Sequence, residues 1–301
     1  LFLQTSTLHK NGSLDVSIST SDHRNAIRSS SYVASISKKV ADLNDIDLNL
    51  INVSHINAGI ELNNITYIAD YVGESSNTPI ELKIKNSKID SGNTNDFLED
   101  EFRPRIIFPS IFSSISPTIV SHIGNPEKFY FGGINLQHIS EIQFARNLLL
   151  STELNLRLYD NFQNSISGPG SVMEHVRTDL VQYLKEDDLY IERMQLDYIW
   201  SPHKDVYAKI SGGIFEQMFG GFGGELLYKP FNKKYDVGLE LFHVKQRAFD
   251  QRFNFQEYET VTGHISLGYR FAAGIESNLS FGRYLAKDDG FTLDIGRRTQ
   301  S

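Results

Sequence analysis

Gln217-Met-Phe-Gly-Gly-Phe-Gly-Gly-Glu-Leu-Leu-Tyr-Lys-Pro-Phe231 reads as a glycine-rich bend followed by a strand. It lies in a run, roughly 189–298, where apolar and polar residues alternate through one hairpin after another. No helical period fits that run. The environments met by its two alternating faces decide both the fold and its use.

On either side of this stretch, strands are predicted near 102–114, 128–144, 148–160, 189–200, 205–216, 222–230, 235–247, 257–271, 274–286 and 290–298. The faces segregate. Tyr190, Met194, Leu196, Tyr198 and Trp200 share one side of their strand, with Glu192 near its start, against Arg193, Gln195 and Asp197. Leu154, Leu156 and Leu158 oppose Glu153, Asn155 and Arg157, and Val237, Leu239 and Leu241 oppose Asp236 and Glu240. Val261, Ile265, Leu267, Tyr269 and Phe271 oppose Thr260, Thr262, His264, Ser266 and Arg270. Tight connections are expected at 145–147, 201–204, 231–234 and 272–273, and mostly longer ones at 115–127, 161–188 and 248–256 on the other side. Aromatics gather beside the tight turns, from Tyr198, Trp200 and Tyr207 to Tyr228, Phe231 and Tyr235, then Tyr269 and Phe271. Short turns, longer loops and an aromatic girdle fit an antiparallel outer-membrane β-barrel. A soluble barrel or sandwich, with aromatic cross-strand pairs, accommodates the same alternation.

Composition narrows the classes. The 301 residues carry a net charge of −8, which argues against a nucleic-acid partner. Twenty-two glycines, 14 tyrosines and 20 phenylalanines beside 8 prolines favour strands and turns. Zero cysteines exclude a disulfide scaffold or thiolate metal site. A mean hydropathy of −0.30 is compatible with a membrane barrel, because half of each strand would face a polar lumen. Leu1 and the end at Ser301, just after a strand-like run, are read as cut ends of a longer polypeptide.

Residues 1–95 have another texture. Ser13–Thr20 alternates as a strand, and Asp22 is placed to cap a helix over about 24–43, whose Val33, Ile36, Val40 and Leu43 recur at helical spacing. Strands follow at Ile46–Val53, Ile60–Ala69 and Ile80–Ile89, and Asn86–Asn95 is expected to be a linker. This predicts a small α/β module over 1–95, preceding a β-barrel region over 96–301. Strand direction relative to the loops puts the module on the periplasmic side.

Five stretches in order carry a resemblance: Val176–Leu184, Glu216–Phe231, Asp250-Gln-Arg-Phe253, Val261-Thr-Gly-His264 and Gly282–Gly290. Together they resemble the YjbH family of exopolysaccharide-biosynthesis proteins, which includes group 4 capsule lipoproteins of the Gram-negative outer membrane. The resemblance implies an outer-membrane barrel protein, located with its module in the periplasm, that acts as conduit or scaffold in exopolysaccharide and capsule export. Its implied partners are extracellular polysaccharide, outer-membrane lipids and periplasmic export-machinery proteins. Full-length members are longer, with a signal and a lipobox cysteine ahead of this stretch.

No cofactor or catalytic residue is read. Gly220, Gly221, Gly223 and Gly224 lack the Lys-Ser/Thr and helix of a phosphate loop, and are taken as a bend or bulge. Arg193, Asp197, Lys209, Glu240, His264, Arg270 and Arg283 fall by alternation at lumen-facing positions or their ends, suited to a hydrophilic polymer or to a bracing charge network. Arg177 and Asp179, placed to contact sugar hydroxyls or only to pair with rim charges, sit in the loop 161–188, where Val172, Val176, Leu180 and Tyr183 suggest a short amphipathic helix, either inside the lumen or on the rim. His264 and Ser266, two apart on one strand face, leave open a lipid or glycan hydrolase. A soluble periplasmic glycan-binding β-domain is the other alternative. His243 and His264 have no spaced third ligand for a metal.

Overall fold

The computed structural model describes residues 2–19, 26–57, 59–72, 87–92, 102, 108–123, 130–164, 174–231 and 233–297. The chain divides into two compact units, one built on 1–107 with 200–206, the other on 108–199 and 207–301. The fold is mainly β and mainly antiparallel.

The first unit holds a five-stranded sheet: β1 (Phe2–Leu8), β2 (Ser13–Ser19), β3 (Leu50–Asn57), β4 (Ile60–Ile68) and β5 (Ser87–Ser91), in that spatial order. β2 and β3 are parallel, so the helix α1 (Ala26–Leu43) serves as their crossover; the other pairs are antiparallel. Asn86–Asn95 is not simply a linker, because Ser87–Ser91 pairs with β4. The proposed Asp22 cap and residues 80–86 lie outside the described residues.

The core of this unit joins Val16, Ile18, Ile51, Val53, Ile65 and Tyr67 to Ala34 and Ala41 of α1. The helix face differs from the expected one. Ile36, Val40 and Leu43 are exposed, whereas Ser29, Ser30, Ala34 and Ala41 are buried. Small side chains let the helix approach the sheet, and its serines are satisfied locally. Ser29 Oγ donates to the Ala26 carbonyl and meets His55 Nε2 at 2.8 Å, while Ser30 Oγ bonds Ile27 O and the Tyr67 hydroxyl at 2.6 Å. Burial holds the His55 imidazole below its ordinary pKa and the Tyr67 phenol above its own.

The second unit holds a ten-stranded meander: β6 (Ser110–Ile123), β7 (Tyr130–Ala145), β8 (Leu148–Asp160), β9 (Leu189–His203), β10 (Val206–Ile214), β11 (Phe219–Tyr228), β12 (Tyr235–Arg247), β13 (Phe255–Arg270), β14 (Ile275–Arg283) and β15 (Asp289–Arg297). Each strand is hydrogen-bonded to the next, and among the described residues no pairing joins β6 to β15. The strand expected at 102–114 instead runs from Ser110 to Ile123, through most of the loop predicted at 115–127. Pro117 is tolerated there because β6 has a neighbour on one side only. Loop asymmetry is correspondingly weaker than predicted. One end has two-residue turns at Arg146-Asn147 and Lys204-Asp205 but also the longer 229–234, and the other end has the long 161–188 and 248–254 but also the short 215–218.

Substituting Leu for Ala34 should overpack the helix–sheet seam and cost about 1–3 kcal/mol, whereas Ile36→Ala on the exposed face should change stability by less than about 0.5 kcal/mol. Urea unfolding followed by hydrogen exchange at β3 checks both. Acidification supplies a second check. Below about pH 6.5 the unfolded chain protonates at His55 more readily than the folded unit. Stability should therefore fall as pH drops from there through the lower folded value, then level off, and His55→Gln should flatten the dependence.

Candidate functional site: a polar inner face closed at one end

The register of the meander aligns side chains into rows. On one face Leu226, Leu239, Ile265, Phe281 and Phe291 follow one another across β11 to β15, and Tyr228, Val237, Leu267, Leu279 and Leu293 form the next row. All ten are exposed. At the short-turn end the same face carries exposed Tyr198, Tyr228, Tyr235, Tyr269 and Phe271, with Tyr235 directly opposite Tyr269. Ser140 and Thr152, polar on this side, bond one another at 2.7 Å.

The other face is polar and linked. Asp197 accepts from Gln195 Nε2 at 2.7 Å and from the Ser211 hydroxyl, and Arg193 donates to Gln195 Oε1 at 2.9 Å. Asn155 donates to Glu192, Gln137 to Glu153, and Asn135 to the Tyr190 hydroxyl. Farther along, Glu225, Glu240 and His264 stand side by side on β11, β12 and β13. Two carboxylates directly opposite would repel. Each is instead occupied, Glu225 by Lys209 Nζ at 2.8 Å and Glu240 by His264 Nδ1 at 2.6 Å.

Most predicted lumen residues thus share one face, but three alternation-based assignments change. Tyr190 and Glu192 do not lie with Leu196 and Tyr198. Glu153 pairs with Arg193 while Leu154 pairs with Ile191, so Glu192 is the extra residue of a bulge that reverses the parity. Arg283 is opposite Gly263, in the parity of Ile265 and Phe281, and so belongs to the end of the apolar face, where it pairs with Asp289 at 3.2 Å. The glycines of the 217–231 stretch form no bend. They lie inside β11 without positive φ, and the bend is Phe215–Met218, after Gly213 at φ 130°. Their role is close approach: a Cβ on Gly223 would collide with the Phe242 ring and the Leu241 carbonyl.

Arg270 is on the inner parity at a strand end, donating to Lys233 O at 2.7 Å. His264 Nδ1 is taken by Glu240, its buried Nε2 has no partner, and its ring contacts Tyr284, so neither nitrogen holds Ser266. His243 stacks on Phe222 from the opposite parity to His264 and shares no site with it.

At the end opposite the short turns, the inner face is covered. Leu180–Lys185 forms α2, which buries Val181, Tyr183 and Leu184. Tyr183 packs with Met218, Phe219 and Val244, joined by Val176, Phe215, Phe242, Phe249, Tyr258 and Leu285. Leu184 packs on Phe131 and Phe162. Val172 lies outside the described residues. Arg177 is paired with Glu216 at 2.6 Å, and Asp179 accepts from Gln182 and meets His175 Nδ1 at 3.1 Å. Of the two roles expected for Arg177 and Asp179, the structure shows pairing within the protein.

The residue that fastens this cover, Arg247, was not among the sequence candidates. It is 0% exposed. Its guanidinium donates to the carbonyls of Ile191 (2.9 Å), Glu216 (3.0 Å), Gln217 (3.1 Å) and Arg252 (3.0 Å), and its own carbonyl accepts from the Tyr183 hydroxyl at 2.5 Å and Gln256 at 2.9 Å. Gln251, at φ 49°, donates to Tyr183 O at 2.7 Å. Simple alternation puts Arg247 on the apolar face with Leu239 and Leu241, but it stands at the end of β12, beyond a register irregularity with β13, and its side chain is fully buried among these carbonyls. A strand arginine in an apolar register position was the signal available. Burial pushes the Tyr183 phenol up to about 12.

These features define a β-sheet protein with an apolar outer face and a braced, polar inner face under a folded loop. The family described as exopolysaccharide biosynthesis protein YbjH (YjbH) matches residues 4–301, and the chain belongs to that family. It is also similar to the uncharacterized lipoprotein YjbH of Escherichia coli (strain K12), at 31% identity over 195 residues, or 62% of this chain. That alignment spans 28% of the relative's length. No solved structure matches.

Replacing Arg247 with Met would strand four carbonyls and should destabilise the loop end by about 3 kcal/mol or more. Tyr183→Phe, which removes one bond, should cost about 1–2 kcal/mol. Proteolysis rates across 174–188 should rise in that order.

Proposed function

We propose that the ten-stranded sheet forms the wall of an outer-membrane β-barrel that serves exopolysaccharide biosynthesis and export as conduit or scaffold. One observation carries the reading: in-register rows of large apolar side chains are exposed on one face, while polar residues such as Asn155, Arg157, Gln195 and Asp197 are buried on the other. In water this arrangement leaves a large apolar area uncompensated; in a bilayer it is the favourable one. The exposed aromatics at the short-turn end suit an interfacial girdle. The family and the lipoprotein relative point to the cell envelope and to exopolysaccharide. No described helix is long and apolar enough to cross a membrane, which leaves strands as the spanning elements of this reading.

On this reading the open edges of β6 and β15 require closure by one another or by further strands of the polypeptide. The polar lattice would offer hydroxyl-rich polymer a hydrogen-bonding wall, and the first unit would meet polymer or periplasmic export proteins. The alternative hydrolase depends on His264 acting on Ser266; Nδ1 is bonded to Glu240 and the buried Nε2 makes no bond to Ser266.

Leu241→Lys discriminates environments. In a lipid-facing position it should cost about 2–4 kcal/mol and reduce heat-modifiable, membrane-integrated protein, while on a soluble surface it would be near neutral or improve solubility. Deleting the protein should lower secreted exopolysaccharide, measured as polymer in the medium. Unchanged secretion would overturn the proposed role.

A further inference from the structure

The five-stranded sheet has one face against α1 and another that is polar. Register places Thr7, Asp15, Asn52, Thr66 and Lys88 in one row across all five strands, and Thr5, Ser17, Ser54, Asn64 and Asp90 in the adjacent row. Each of the ten positions is polar. A solvent-facing sheet needs no such uniformity, since isolated apolar residues are common at surfaces.

We infer that these two rows form a binding surface for an uncharged, hydroxyl-rich polysaccharide chain. The inference rests on the exopolysaccharide role proposed above and assigns it a contact surface outside the ten-stranded sheet.

Three properties select that ligand. First, the charges are paired on the face itself: Asp15 with His9 at 2.8 Å and Lys88 with Asp90 at 2.9 Å. Among the described residues of the two rows, the one lysine, Lys88, is paired rather than offered to a phosphate or an anionic headgroup. Second, no row position supplies an apolar anchor, which a protein interface centre requires. Third, the amides are oriented and only partly used. Asn52 Nδ2 donates to Asp15 at 2.6 Å, Asn64 Nδ2 to Ser54 Oγ at 2.8 Å, and Ser54 Oγ to Glu61 at 3.0 Å. Each amide has a second N–H and further acceptor capacity beyond these bonds. Oriented groups with both donors and acceptors suit hydroxyls, which are both. Neighbouring strands repeat at about 4.8 Å, on the scale of a sugar ring, so a polymer lying across the strands meets a fresh pair of polar side chains at each step. Thr5 and Thr7 of β1 are withdrawn from this face, because their Oγ1 atoms are buried, so the open part of the two rows runs from β2 to β5.

The test uses the whole chain in detergent, with affinity electrophoresis in gels containing dextran, the producing strain's purified exopolysaccharide, or polyglutamate as a charged control. Wild-type protein should be retarded by a neutral polysaccharide and not by polyglutamate. Asn52→Ala/Asn64→Ala should weaken retardation roughly tenfold or more with unchanged heat modifiability and unchanged hydrogen exchange at β3. Ser54→Tyr, which blocks the middle of the face without removing a core contact, should do the same. Retardation by polyglutamate alone, no retardation by either polysaccharide, or wild-type retardation of both folded variants would overturn the inference. Loss of secretion on deletion together with such a result would leave the export role standing and remove only this surface. Retained binding with normal secretion would do the reverse.

Discussion

The buried guanidinium of Arg247 is the interaction on which the ten-stranded unit depends. An arginine out of water is costly unless its donors are met. Here the two terminal nitrogens are met by carbonyls from β9, the β10–β11 bend and the 248–254 loop, and among the described residues the buried Nε alone is left without a partner. These are segments that β-pairing alone would leave independent at their ends. Through its own carbonyl, Arg247 also holds Tyr183 and hence α2. The apolar cluster around Tyr183 supplies burial, but burial is non-directional. The arginine specifies where the loop sits.

Beyond that end, the sheet reverses the usual partition of polar and apolar groups. Its inner face is stabilised by paired and chained polar side chains, as in Arg193–Gln195–Asp197–Ser211, because an unpaired buried polar group costs more than a made hydrogen bond returns. Its outer face has no protein partner among the described residues. The same period-two pattern produces both faces. The first unit has an apolar core between sheet and helix, to which the buried serines of α1 and His55 are added as hydrogen-bonded polar groups. Two units of one chain therefore place the same residue types in opposite environments.

Strand existence was legible in the residues because alternation is local: β8 and β12 occupy the expected spans 148–160 and 235–247. The shared face of Arg193, Asp197, Lys209, Glu240 and His264 followed from counting in twos. Counting failed wherever a bulge intervened. At Glu192 one added residue exchanges the faces, and near Arg247 the ladder breaks off with two extra residues on β13; no local pattern announces either. The helix face failed for another reason. Hydrophobicity nominated Ile36, Val40 and Leu43, whereas close packing on the sheet selected small residues, and serine is admissible there because its hydroxyl can return to the helix backbone.

By itself, the sequence determined a β-rich chain with two textures, the two-sided character of its strands and its YjbH family, since these depend on residue order and local periodicity. Tertiary structure decided what the glycines of 217–231 are for, which residue fastens the loop, and which polar groups meet. Those outcomes depend on register and bulges, set by pairing between residues far apart in sequence. Gly223 illustrates the division. Its lack of a side chain is written in the sequence, but the Phe242 ring that needs the space is brought there by the neighbouring strand.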